Sequence, residues 1–144
     1  MNIDYLKLAG ALSFIAAAMH LAIIFGGPKW YRFFGAGERM AEMAAQGQVQ
    51  PTLITLSVAA VLGLWGVYAW SAAGIFPQLP LMKLALILIT LVYLTRGVLG
   101  LLAPFISSHP QVTQNSVVFW VWSSIICLAF GLIHLKGDFD KWFG

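Results

Sequence analysis

Four long apolar stretches, separated by short polar breaks, organise the chain. The first runs from Leu6 to Phe25 and stops at Gly26-Gly27-Pro28, residues that interrupt helices strongly. The second runs from Thr52 to Ala73, with Pro51 suited to a first helical turn. The third spans Leu81 to Ala103 and is closed by Pro104, and the fourth spans Ser116 to Leu135. Each is about the 20 residues that a helix needs to cross a bilayer. Gly74 to Pro80 is a short turn, Ser107 to Asn115 a polar loop, and Lys136 to Gly144 a polar tail. The pattern predicts an all-α membrane protein, a four-helix transmembrane bundle forming a single domain over residues 1–144.

The first loop adds a smaller element. It opens with Lys29-Trp30-Tyr31-Arg32-Phe33-Phe34, a mixture of basic and aromatic residues suited to a membrane interface. From Glu38 to Gln46 a short helix is predicted, with Met40, Met43 and Ala44 on one face and Glu38, Glu42 and Gln46 towards the other. Such a helix lies along the membrane surface. The two halves of the chain share no motif, so an inverted-repeat transporter is not indicated.

Each long run carries small or polar residues at steps of three and four, which place them on one helix face. The sets are Gly10, Ser13, Ala17 and His20; Thr52, Thr55, Ala59, Gly63, Gly66 and Trp70; Thr90, Tyr93, Gly97 and Gly100; and Trp120, Ser124, Cys127, Gly131 and His134. Small residues let membrane helices approach closely, so these stripes are the expected seams of the bundle.

Composition agrees: 60% of residues are hydrophobic, 9% are charged, and mean hydropathy is +0.86. A soluble domain carries about a quarter charged residues. The net charge of +3 is scattered near the ends of the runs and forms no basic patch for nucleic acid. Cys127 is the only cysteine, which excludes an intrachain disulfide and CxxC redox chemistry. The first run continues past Ala16-Ala17-Ala18 for the length of a span and is read as a retained helix, not a cleaved signal. Termini on the cytoplasmic side put Lys7, Lys83, Lys136 and Lys141 inside, against Lys29, Arg32 and Arg39 outside, a narrow balance in that direction. The layout is similar to that of small four-helix bacterial inner-membrane proteins, which gives a bacterial-type inner membrane as the expected location. No motif transfers a function.

One charge breaks the pattern. Arg96 stands inside the third run, about 10 Å from its end at Ala103. A charge at membrane depth is costly unless paired, hydrated or snorkelled, and it marks a functional site by default. Three readings are open: snorkelling to a lipid headgroup, pairing with Glu38 or backbone carbonyls, and clamping a carboxylate or phosphate. His20 lies about 8 Å before the same membrane face. Gln50 and Thr55 begin the second run there, Trp120 begins the fourth, and Tyr93 is a turn below Arg96. A pocket is therefore expected on the outer side, with Arg96, His20, Gln50, Thr55, Tyr93 and Trp120 as its ligand-binding residues and Glu38 on a lid above.

Other chemistry is disfavoured. His20 and His134 are most of a membrane apart, so they do not form a haem ligand pair. His20, Met19, Met40, Met43 and His109 make only a weak copper set, since methionine commonly fills apolar interfaces. No metal and no cofactor are expected. Asp4, Glu38, Glu42, Asp138 and Asp140 are all read as outside the spans, which argues against a carboxylate proton relay. His134 is read as interfacial and His109 as solvated. The leading functional expectation is a protein that binds a lipid-like or anionic small molecule, as an accessory subunit or alone. A membrane-embedded enzyme on a lipid or isoprenoid-like substrate, with His20 as acid/base, is the alternative. A structural subunit of a larger membrane complex, or a homo-oligomer, is the third. Membrane lipids are partners in every case.

Overall fold

The computed structural model describes residues 3–144. Seven helices follow one another: α1 Tyr5–Gly26, α2 Pro28–Phe33, α3 Glu38–Ala45, α4 Gln50–Ala72, α5 Met82–Ile106, α6 Pro110–Thr113 and α7 Val117–Trp142. Four of them, α1, α4, α5 and α7, are long and apolar enough to cross a membrane. They run alternately up and down in a four-helix bundle.

Local signals fix most helix ends. Asp4 caps α1 by accepting from the Leu6 and Lys7 amides at 3.1 and 3.2 Å. Gly27 ends α1 with φ +72°, a conformation glycine adopts without penalty, and Pro28 starts α2 at once. Ser116 caps α7 by accepting from the Phe119 amide at 3.1 Å. Two ends differ from expectation. Helix α5 carries Pro104 within its last turn and stops only at Ile106. Helix α7 continues seven residues beyond Leu135 to Trp142. An exposed ion pair between Lys136 and Asp140, one turn apart, supports this extension.

The long helices pack as two tight antiparallel pairs. In α1/α4, Gly10 lies against the Trp70 ring and Gly66 against Phe14. In α5/α7, Gly97 lies against Leu128 and Gly131 against Leu94. A Cβ at Gly97 would stand 2.9 Å from the Leu128 backbone nitrogen, closer than packed atoms tolerate. The pairs join mainly through α1 and α7, where Gly137 meets Leu6. Between them lies a core of Leu6, Ala9, Leu62, Ala69, Leu86 and Ile89, with Tyr93 at its centre. The outward faces carry Leu64, Leu91, Leu99 and Leu132, all more than half exposed. This is the arrangement a lipid environment selects, apolar outside and small or polar within.

The first loop folds over one end of the bundle. Tyr31 of α2 is buried with Ile23 and Ala41, and α3 lays Met40 and Ala44 on this small core. The Thr55 hydroxyl donates to the Tyr31 hydroxyl at 3.3 Å, tying the cap to α4. Asn115 donates to the Gly35 carbonyl at 3.0 Å, tying it to the α6–α7 connection.

Candidate functional site

Two polar sites lie on the α5/α7 seam. The upper one is built on Arg96. Its Nη1 donates to Ser124 Oγ at 3.2 Å and its Nη2 to Ser123 Oγ at 3.3 Å. The guanidinium lies 5.0 Å from the centre of the Trp120 ring, within cation–π range. Trp120 is held in turn by its Nε1, which donates to the Val112 carbonyl at 2.9 Å. Gly100 leaves room for the guanidinium and Ser124 to meet above it. Among the described residues no carboxylate lies within 4 Å of Arg96. A guanidinium carries five N–H donors. Two of them are engaged. Beside Arg96 lies a shallow, open hollow of about 340 Å³ on the outward face of α5, formed by Leu88, Leu91, Val92 and Thr95 of that one helix. The site offers a fixed positive charge with spare donors, next to apolar surface.

The other residues expected around Arg96 are held elsewhere, Trp120 excepted. His20 Nδ1 bonds the Ala16 carbonyl of its own helix at 2.7 Å. Thr55 is buried against Tyr31. Gln50 is exposed and lines a separate opening of about 200 Å³ with Arg39, Gln111 and Gln114. Glu38 is taken by Arg32, whose Nε and Nη2 approach it at 2.8 to 3.0 Å. That hydrogen-bonded pairing holds the Glu38 carboxyl below its ordinary range and the Arg32 guanidinium above its own. The pair stands in the exposed cap, so its strength is limited by solvent. Tyr93 points into the middle of the bundle.

Tyr93 belongs to the lower site. Its hydroxyl and Ser13 Oγ are 2.9 Å apart, linking α5 to α1. Its ring stacks on His134 with centroids 5.4 Å apart. One turn below, Thr90 Oγ1 donates to Asp138 Oδ2 at 2.7 Å. His134 is 0% exposed and Asp138 6%. Two expectations are corrected here. His134 is buried in the core instead of interfacial, and Asp138 lies inside the bundle instead of in a polar tail. The argument against an intramembrane carboxylate therefore fails for Asp138. His134, Asp138 and Trp142 fall at steps of four on one face of α7. His134 Nδ1 and Nε2, Asp138 Oδ1 and Trp142 Nε1 are all buried without a hydrogen-bond partner. Buried polar atoms are nearly always satisfied, so four orphans in one stripe are exceptional.

The signal for this site was present in the chain. The seam through Cys127, Gly131 and His134 continues at Asp138 with the next step of four. The drop in hydropathy after Leu135 hides it, because Lys136, Asp140 and Lys141 on the outer face lower the average. Among the described residues no cluster of three or more His, Cys, Asp or Glu side chains is placed to hold a metal.

No family model matches the chain, and neither the curated proteins nor the solved structures compared with it give a match.

Proposed function

We propose that this protein binds an anionic, lipid-like molecule in the membrane, with Arg96 as the headgroup clamp. The observation that carries the reading is the state of Arg96. It stands inside a spanning helix with no carboxylate within 4 Å and only two hydroxyl partners. A phosphate or carboxylate would supply the missing counter-charge and accept from the unused N–H groups side by side. The adjacent open apolar strip along α5 offers a surface for an acyl or isoprenoid chain to lie on. Ser123, Ser124 and Trp120 orient the guanidinium; the ligand completes its coordination.

The membrane in this reading is a bacterial-type inner membrane, with the termini cytoplasmic and the α2–α3 cap outside. The protein then acts as a binding or accessory subunit, alone, as a homo-oligomer or beside a membrane partner. The enzymatic alternative has less support, because His20 is bonded to its own backbone and stands in no shared site with Arg96.

Titration of the purified protein with a long-chain alkyl phosphate tests this. Losing a charge-assisted pair costs about 1.5–3 kcal/mol, so Arg96→Leu should weaken binding roughly tenfold or more. Arg96→Lys keeps the charge but loses the two-pronged geometry and should fall between. Equal affinity in all three proteins would rule the clamp out.

A further inference from the structure

The lower site has a groove of its own. It measures about 170 Å³ and is lined by Thr90, Asp138 and Trp142 among apolar side chains that include Ile87, Leu91 and Leu135. Leu91 also borders the Arg96 hollow, so the two openings adjoin along the membrane-facing side of α5. The polar residues of the lower groove carry unmet hydrogen-bonding capacity: Asp138 Oδ1 has no donor and Trp142 Nε1 has no acceptor. Asp138 is more than nine-tenths buried.

The charges around the groove select the ligand. From α5, Lys83 Nζ stands 5.7 Å from the Trp142 ring and 5.2 Å from the Phe143 ring, two side chains that line the groove, so a cation stands beside it. A second cation would be repelled there. From α7, the Asp138 carboxyl opposes an anion, while Lys136 and Asp140 are paired with each other on the exposed face. From α1, Lys7 is engaged with Asp4. The ammonium and the carboxyl offset each other's pull on a charged head, which leaves the advantage to an uncharged head that both donates and accepts. A hydroxyl does both: Asp138 Oδ1 and Trp142 Nε1 lie closed off just beneath the groove wall, and a hydroxyl that enters between the lining side chains donates to the first and accepts from the second. Its depth also fits. Asp138 is about 6 Å along the axis from Trp142 near the end of α7, just beneath the headgroup level where an alcohol-headed lipid rests.

We infer that the Thr90–Asp138–Trp142 groove is a second binding site, which takes an uncharged lipid with a hydroxyl head, such as a long-chain alcohol or prenol. The site is independent of Arg96. Thr90 holds one carboxyl oxygen of Asp138 and thereby directs the other to the ligand. The apolar wall of α5 and α7 takes the chain.

The test is photolabelling of the whole protein in lipid nanodiscs with three diazirine probes of equal chain length: an alkyl alcohol, an alkyl phosphate and an alkylamine. The alcohol should label the inner-end segments of α5 and α7. Trp142→Phe removes one hydrogen bond and keeps the packing, so labelling should need roughly fivefold more probe. Asp138→Leu should do the same or more. Asp138→Asn keeps an acceptor in place and should retain labelling, which separates lost binding from a lost fold. Arg96→Leu should leave the alcohol labelling unchanged, whatever it does to the phosphate. Three results would overturn the inference: no labelling at this end, as for a site that holds only water; stronger labelling by the amine, abolished in Asp138→Asn; or alcohol labelling indifferent to Trp142→Phe.

Discussion

At the scale of single residues, partners decide what each polar side chain can do. Arg96 and Glu38 are both charged and both belong to the same end of the molecule. Glu38 is already matched by Arg32, and Arg96 is not matched by any acid among the described residues. The Arg32–Glu38 pair makes its own prediction. The Glu38 carboxyl is held below its ordinary value, so the pair's contribution is present above the unfolded carboxylate pKa. It is lost as pH falls through the lower, folded value. Amide exchange in the α2–α3 segment should therefore speed up on acidification in the native chain. In Glu38→Gln it should be fast already at neutral pH and change little with pH. A native-chain profile flat through the carboxylate range would contradict the role given to this pair. Arg96 and Trp120 were legible in the sequence as neighbours, since one lone charge and one interfacial indole fall at similar depth. Ser123 and Ser124 as its hydrogen-bond partners were less so, because depth along a helix does not tell which way a long side chain turns.

At the scale of helices, the α5/α7 pair is the element that builds both sites. Its close approach rests on Gly97 and Gly131, each pressed against a leucine of the facing helix. Gly97→Val would force the helices apart, at a cost of about 1–3 kcal/mol for overpacking. Thermal unfolding in detergent should shift down, and binding at both sites should weaken together. Gly63→Val, at a position where an added side chain meets nothing, should leave both unchanged. A Gly97→Val protein as stable as the native chain would show that the seam is looser than described. The four spans and their seams were legible because apolar length and small-residue spacing survive any packing detail. The inward turn of Asp138 was not, since averaged hydropathy merges the outer face of α7, with Lys136 and Asp140, with its inner face.

The whole molecule is a bundle with two unlike ends. One end is capped by α2, α3 and α6, with Arg96 beneath it. The other carries Lys7, Lys83, Lys136 and Lys141. The excess of basic residues at that end, four against three in the cap, is what our proposal of cytoplasmic termini rests on. Single cysteines introduced at Lys83 and Glu38, in a Cys127→Ala background, should react with a membrane-impermeant maleimide from opposite sides: Glu38 in intact cells, Lys83 only after lysis. The reverse pattern would invert the orientation without moving either site. The function turns on whether Arg96 holds an anion. Native mass spectrometry of the protein released gently from its membrane reads this most directly. The native chain should carry one phosphate- or carboxylate-headed lipid-like adduct, and folded Arg96→Leu should lose it. An adduct retained at the same occupancy in folded Arg96→Leu, or a native chain that is always bare, would contradict the account.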